Sequence, residues 1–151
     1  MIENGKFSLE RALRVAVYCR VSTDKDDQVN SLESQQKYFT EYIERNSLWK
    51  LYKVYVDEGL SGTSTSKRKA FNTMMVDAEL KKFDIIITKE ISRFARNTLD
   101  SIYYTRLLKE YGVGVIFAND NLYSLDPDAE LRLTIMASIA QEESRKRRVY
   151  P

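Results

Sequence analysis

A serine two residues after an arginine, with more arginines in two later polar segments, is the feature of this sequence richest in chemistry. The first segment, Arg20-Val-Ser-Thr-Asp24, follows the apolar run Arg14–Cys19. The second, Asp57-Glu-Gly-Leu-Ser-Gly-Thr-Ser-Thr-Ser-Lys-Arg-Lys69, is rich in hydroxyls and ends in bases. The third, Lys89-Glu-Ile-Ser-Arg-Phe-Ala-Arg-Asn97, carries Arg93 and Arg96 three apart, a spacing that puts both guanidinium groups on one face of a helix. Converged around Ser22, the side chains of Arg20, Arg68, Arg93 and Arg96 would support phosphoryl transfer. Guanidinium forks match phosphate oxygens bidentately and stay charged at any pH. They stabilise the added negative charge of a pentavalent transition state without a metal and lower the cost of a serine alkoxide.

Composition removes the competing chemistries. The 151 residues include no histidine and one cysteine, which excludes Ser-His-Asp and Cys-His triads, His-dependent metal hydrolysis, disulfide frameworks and cysteine-rich zinc sites. With 43% hydrophobic residues, 5 Gly and 2 Pro, the chain falls outside the disordered and low-complexity classes. A net charge of +2 from 24 basic and 22 acidic residues is too mild to argue for nucleic acid by itself. No apolar run reaches a membrane span, and the start, Met1-Ile-Glu-Asn-Gly-Lys6, has no signal-peptide core; the expected location is cytoplasmic. Each site feature also has a plainer reading. A serine after a strand serves as a turn or N-cap residue, and arginines three apart form a solvated surface pair. The loop from Gly59 to Thr65 has neither the phosphate-loop nor the dinucleotide glycine pattern. Asp57 and Glu58 are adjacent and cannot face one point on a strand, and Cys19 reads as a small buried hydrophobe.

The elements that must position these groups follow from periodicity. Four β-rich runs, Arg14–Cys19, Leu51–Val56, Asp84–Thr88 and Val113–Ala118, alternate with four helical stretches. That alternation predicts a single three-layer α/β domain around a mostly parallel central sheet, with ligands gathered beyond the carboxyl ends of the strands. The third run is apolar without alternation and suits a central strand. Asn30 with Glu33 reads as a capping box opening a helix with Leu32, Phe39 and Ile43 on its buried face. Residues near 68–82 form a second helix carrying Phe71, Met74, Met75 and Ala78. Leu99, Ile102, Tyr103 and Leu107 stripe a third, stopped by Gly112. Asp126-Pro127 opens a fourth, faced by Leu131, Ile135, Met136, Ile139 and Ala140. Residues 1–13 read as a leader, 14–141 as the domain, and 142–151 as the start of a truncated basic helix.

Six segments recur in the order found in serine recombinases: Tyr18-Cys-Arg-Val-Ser22, Ser31-Leu-Glu-Ser-Gln35, Asp57-Glu-Gly-Leu-Ser-Gly62, Arg68-Lys-Ala-Phe71, Ser92-Arg-Phe-Ala-Arg-Asn97 and Ala140-Gln-Glu-Glu143. Over roughly residues 14–147 the chain resembles the catalytic domain of the resolvase/invertase family, most like the large members of phages and conjugative transposons. The resemblance implies that Ser22 attacks a DNA phosphodiester, giving a 5′-phosphoseryl linkage and a free 3′-hydroxyl. It assigns Arg20, Arg68, Arg93 and Arg96 to the phosphate and Gln35 to the family's active-site glutamine. It also implies double-stranded DNA as partner, dimers and tetramers of the full-length protein, and no metal or nucleotide cofactor. Arg145, Lys146, Arg147 and Arg148 would begin the segment that meets the DNA backbone.

There are departures from the pattern. Ser92 stands where many small resolvases carry aspartate, and a lysine that some relatives place on the second helix has no clean match. The family continues with a long dimerising helix and a separate DNA-binding region, and the sequence reads as a catalytic-domain fragment cut near the start of that helix. Three rivals remain at this stage. One is a tyrosine-type strand transferase, which the 10 tyrosines make tempting, although Tyr18 lies in a predicted buried strand. The others are a catalytically inactive DNA-bound assembly module of the same fold and a nucleotide-binding switch, the last disfavoured by the missing phosphate loop.

Overall fold

The computed structural model describes residues 12–21, 31–58 and 68–149, with side chains as far as residue 143. Five strands form one sheet in the order β2-β1-β3-β4-β5. They are β1 (Leu13–Val21), β2 (Trp49–Glu58), β3 (Ile85–Thr88), β4 (Gly114–Phe117) and β5 (Leu122–Tyr123). The first four run parallel, and β5 returns antiparallel to β4. All four residues of β3 are buried, as the unalternating run predicts for a strand covered on both faces. Helix α1 (Leu32–Glu44) covers one face through Phe39 and Ile43 against Val15, Val17, Cys19, Ile85 and Ile87. On the other face lie α2 (Lys69–Glu79), the short α3 (Ile91–Phe94) and α4 (Thr98–Glu110). Helix α5 (Ala129–Val149) packs on α3 and α4. Among the described residues no helix is long and apolar enough to cross a membrane.

A bulge in β2 sets the register that matters. Val15 pairs with Leu51 but Ala16 pairs with Lys53, so Tyr52 is the extra residue. A one-residue slip exchanges the two faces of a strand. After it, Tyr55 and Asp57 come level with Tyr18 and Arg20, on the face toward α2. The second device is a pair of helix ends. Gly112, at φ 80°, follows α4, with Val113 N donating to Leu108 O at 2.8 Å and Gly112 N to Lys109 O at 2.9 Å. That pair of hydrogen bonds is the left-handed stop expected of the glycine. Lys81, at φ 60°, takes the same place after α2 without being glycine.

Several helix faces differ from the periodicity. Helix α1 is capped by Ser31, whose Oγ accepts from Ser34 N at 3.1 Å; Asn30 lies outside the described residues. Leu32 is exposed, and Gln35 takes its place in the buried row with Phe39 and Ile43. In α4 Leu99 and Tyr103 of the predicted stripe are 79% and 60% exposed, and Ile102 and Leu107 are half-buried. The inward row is Ser101, Thr105 and Leu108. Hydroxyls can face inward there because each finds a carbonyl one turn back: Ser101 Oγ donates to Asn97 O and Thr105 Oγ1 to Ser101 O. Helix α5 differs in the same way, although Met136 of its predicted face packs against the core. It starts at Ala129, after a turn in which Ala129 N donates to Asp126 O. Ala129, Leu133 and Ala137 are buried in one cluster with Ile91, Phe94 and Leu108, while Leu131, Ile135 and Ile139 are exposed. The strand β5 had no sequence signal. It is two residues long and depends on Ser124, which exchanges hydrogen bonds with Val115 through its amide and its hydroxyl.

Candidate active site at the carboxyl end of the sheet

Arg20 is the penultimate residue of β1, and its backbone carbonyl is held from both faces of the sheet. Arg93 Nη1 donates to it at 2.7 Å from α3, and Gln35 Nε2 at 3.4 Å from α1. Gln35 is 2% exposed, and a buried amide must find such partners. The strand end one residue before Val21 is therefore clamped by two of the residues singled out in the sequence. Burial, then the charges of Arg93, Arg68 and Arg96, hold the Arg20 pKa below the usual arginine value. The four guanidinium groups thus share one electrostatic neighbourhood, and like charges gathered this way favour an anion among them.

Arg68 sits at the start of α2 with its guanidinium carbon over the Phe71 ring, 3.7 Å from the centroid, and 5.5 Å from that of Tyr18. Its Nη2 donates to Phe94 O at 2.6 Å, at the end of α3. Its buried Nε has no hydrogen-bond partner among the described residues. Arg93 also has Glu90 beside it, Nε to Oε1 3.7 Å. Arg96 is exposed, and its charge reaches Arg20.

Two residues that the sequence reading did not assign build the floor of this site. Asp57 is buried at the end of β2. Its Oδ1 accepts from Ala70 N at 2.9 Å, and its Oδ2 from Phe71 N at 3.0 Å and Tyr18 Oη at 2.8 Å. It caps α2 from a distance, where the residue at the cap position, Arg68, makes no side-chain cap. Tyr18 is fully buried, and burial pushes its phenol up to about 12. A buried, protonated tyrosine bound to a carboxylate is a structural tie rather than a nucleophile. Cys19 points to the other face and is likewise buried, its thiol pushed up to about 12. The available signal for the missed pair was alternation: Tyr18 is two before Arg20 and Asp57 two after Tyr55. The bulge that aligns them is invisible to periodicity.

The structure brings together Arg20, Gln35, Arg68 and Arg93, with Arg96 at the margin. Ser22, the residue after the end of β1, lies outside the described residues. The backbone of Arg145, Lys146, Arg147 and Arg148 continues α5; their side chains also lie outside them. Among the described residues no three acidic or cysteine side chains gather as a metal site would need.

A mostly parallel α/β sheet, with the end of its first strand held by Arg93 and Gln35 and with Arg68 bound to the end of α3, is the frame of this site. Residues 15–149 match the family described as Resolvase, N terminal domain, and the chain belongs to that family. It is 29% identical over 134 residues to the R46 site-specific recombinase of Escherichia coli, aligning over 89% of this chain and 64% of that protein's length. The fold matches the N-terminal catalytic domain of TP901-1 integrase with a TM-score of 0.70 at 26% identity, covering 89% of this chain and 98% of that one. A resolvase family site-specific recombinase from Streptococcus pneumoniae matches at 0.69 and 30% identity, covering 91% and 93%.

Proposed function

We propose that this chain is the catalytic domain of a serine-type site-specific DNA recombinase acting in the cytoplasm on double-stranded DNA. In this reading Ser22 Oγ attacks the scissile phosphorus, forming a 5′-phosphoseryl ester as the bond to the 3′-oxygen breaks. A 3′-hydroxyl then attacks that phosphoserine, releasing Ser22 and rejoining the strand. The observation that carries the proposal is the clamp on the Arg20 carbonyl by Gln35 and Arg93, two residues from Ser22 within the arginine cluster. Arg20, Arg68, Arg93 and Arg96 would hold the phosphate and balance the charge of the phosphorane. Arg93 and Arg68 now donate to the carbonyls of Arg20 and Phe94, bonds that a phosphate would take over. No metal or nucleotide is needed, because the ester keeps the energy of the bond it replaced. The exposed apolar rows of α4 and α5 support self-association into dimers and tetramers in the full protein. Arg145, Lys146, Arg147 and Arg148 would meet the DNA backbone, a sequence-independent and salt-sensitive contact.

The test is made in the full recombinase with its crossover site. Ser22→Ala abolishes cleavage and leaves DNA binding near normal. Arg93→Lys keeps the charge but loses the fork, and lowers cleavage by about a hundredfold or more. EDTA has no effect. Trapping the cleaved complex in denaturant and mapping the DNA-linked peptide by mass spectrometry decides the matter. Attachment at a tyrosine ends the proposal, and intact DNA with the unsubstituted protein returns the inactive assembly module.

A further inference from the structure

The segment Ala140-Gln-Glu-Glu143 has no part in the site described so far, yet one of its side chains reaches the arginine segment. Gln141 Oε1 accepts two hydrogen bonds from Thr98, from the backbone N at 3.1 Å and from Oγ1 at 3.0 Å. Ser138 Oγ, one turn earlier on α5, stands 3.4 Å from the same Thr98 hydroxyl. Thr98 is the first residue of α4, whose opening amides lack partners within the helix. Asn97 Oδ1 takes the Asp100 amide at 2.8 Å, and Gln141 takes that of Thr98. Part of the cap of α4 therefore comes from a different helix, 43 positions along the chain.

Arg96 lies two residues before Thr98, and Arg93 lies on α3. That short helix is itself pressed onto α5, with Ile91 and Phe94 in one buried cluster with Leu133 and Ala137. Helix α5 thus grips the stretch from Arg93 to Thr98 at both ends, by apolar packing at one and by the Gln141 amide at the other. The same helix continues unbroken to Val149, through the basic residues assigned above to DNA. We propose that Gln141 is a positioning residue: through its amide oxygen, α5 sets where Arg93 and Arg96 stand, and so couples the placement of the long helix to the phosphate site. Gln141 touches no reacting atom in this scheme. It acts through Thr98 and the arginine segment.

The first test needs only this chain. Gln141→Leu keeps the bulk and removes the acceptor; Gln141→Glu keeps an oxygen able to accept both bonds; Thr98→Ser keeps both donors. Hydrogen exchange read by mass spectrometry over residues 95–101 is expected to quicken about tenfold in Gln141→Leu, the size of effect that losing such bonds produces. The peptides of β1 and β3 stay unchanged, and Gln141→Glu and Thr98→Ser exchange as the parent does. Should Gln141→Leu fail to fold, Thr98→Val loses the hydroxyl bond alone and quickens the same peptides about threefold. Unchanged exchange in the variant that is read, or no rescue by Gln141→Glu, overturns the proposal. The second test rests on the recombinase reading. In the full protein, Gln141→Leu slows cleavage of a nicked duplex carrying the crossover site about tenfold, with DNA affinity within about twofold and recovery in Gln141→Glu. Normal cleavage by Gln141→Leu overturns the coupling. Absence of cleavage by the unsubstituted protein instead counts against the recombinase reading, and the exchange result then decides the role of Gln141 on its own.

Discussion

Asp57→Asn is the substitution that asks most directly whether the buried carboxylate holds the site together. In the parent, Oδ1 faces Ala70 N at 2.9 Å, and Oδ2 is shared by Phe71 N at 3.0 Å and Tyr18 Oη at 2.8 Å. An asparagine has one oxygen. Placed at Oδ2 it keeps the Phe71 and Tyr18 bonds but turns its NH2 toward the Ala70 amide, donor against donor. Placed the other way it opposes the Phe71 amide. Either way a charge-assisted bond worth about 1.5–3 kcal/mol is lost. The carboxylate's interaction with the helix N-terminus, about 0.3–1 kcal/mol, goes with it. The expected loss of stability is about 2–4 kcal/mol, or a fall in urea midpoint of about 1–2 M at a slope of about 2 kcal/mol/M. Asp57→Ala orphans all three donors and costs about 3–5 kcal/mol. Equilibrium urea unfolding of the chain, followed by far-ultraviolet circular dichroism, measures both. If Asp57→Asn lies within about 0.5 kcal/mol of the parent, the carboxylate is not the cap of α2 and the account of the site floor is wrong.

Two further substitutions bear on the same framework. Burial above all pushes the Tyr18 phenol up to about 12 in the fold, from 10.0 for the free side chain. The folded state holds this proton more tightly, so the stabilisation is complete below pH 10 and is lost as pH rises from 10 to 12. Tyr18→Phe should cost about 1 kcal/mol at pH 8 through the lost bond to Asp57. It should also remove about 2–3 kcal/mol of the parent's alkaline decline; parallel unfolding curves for the two proteins between pH 8 and 12 would refute this. Gly114→Ala places a Cβ 2.6 Å from Tyr123 Cε1 and 3.0 Å from Leu125 Cδ1. The ring must leave its place beside β4, and calorimetry should show a loss of about 1–3 kcal/mol, or roughly 3–8 °C in Tm. An unchanged melting temperature would mean that β5 yields freely.

Local chemistry determined much of this protein. The unalternating Ile85-Ile86-Ile87 run, the strand–helix alternation and Gly112 required a parallel α/β sheet with a left-handed stop after α4. Spacing also gathered Arg20, Arg68, Arg93 and Arg96 as candidates for one site, because polar segments at the carboxyl ends of parallel strands converge. Three things needed the tertiary structure. The buried faces of α4 and α5 differ from the predicted ones, since burial is decided by what packs opposite. Ser101, Thr105, Ala129 and Ala137 are buried, whereas Leu99, Tyr103, Leu131, Ile135 and Ile139 are left outside and Ile102, Leu107 and Met136 are half-buried. The Asp57–Tyr18 tie needed a bulge at Tyr52 to bring two strands into step, and a one-residue slip leaves no periodic trace. The Thr98–Gln141 contact joins residues 43 apart on two helices. Periodicity carries information along one element at a time; the distance between side chains on different elements exists only after the chain has folded.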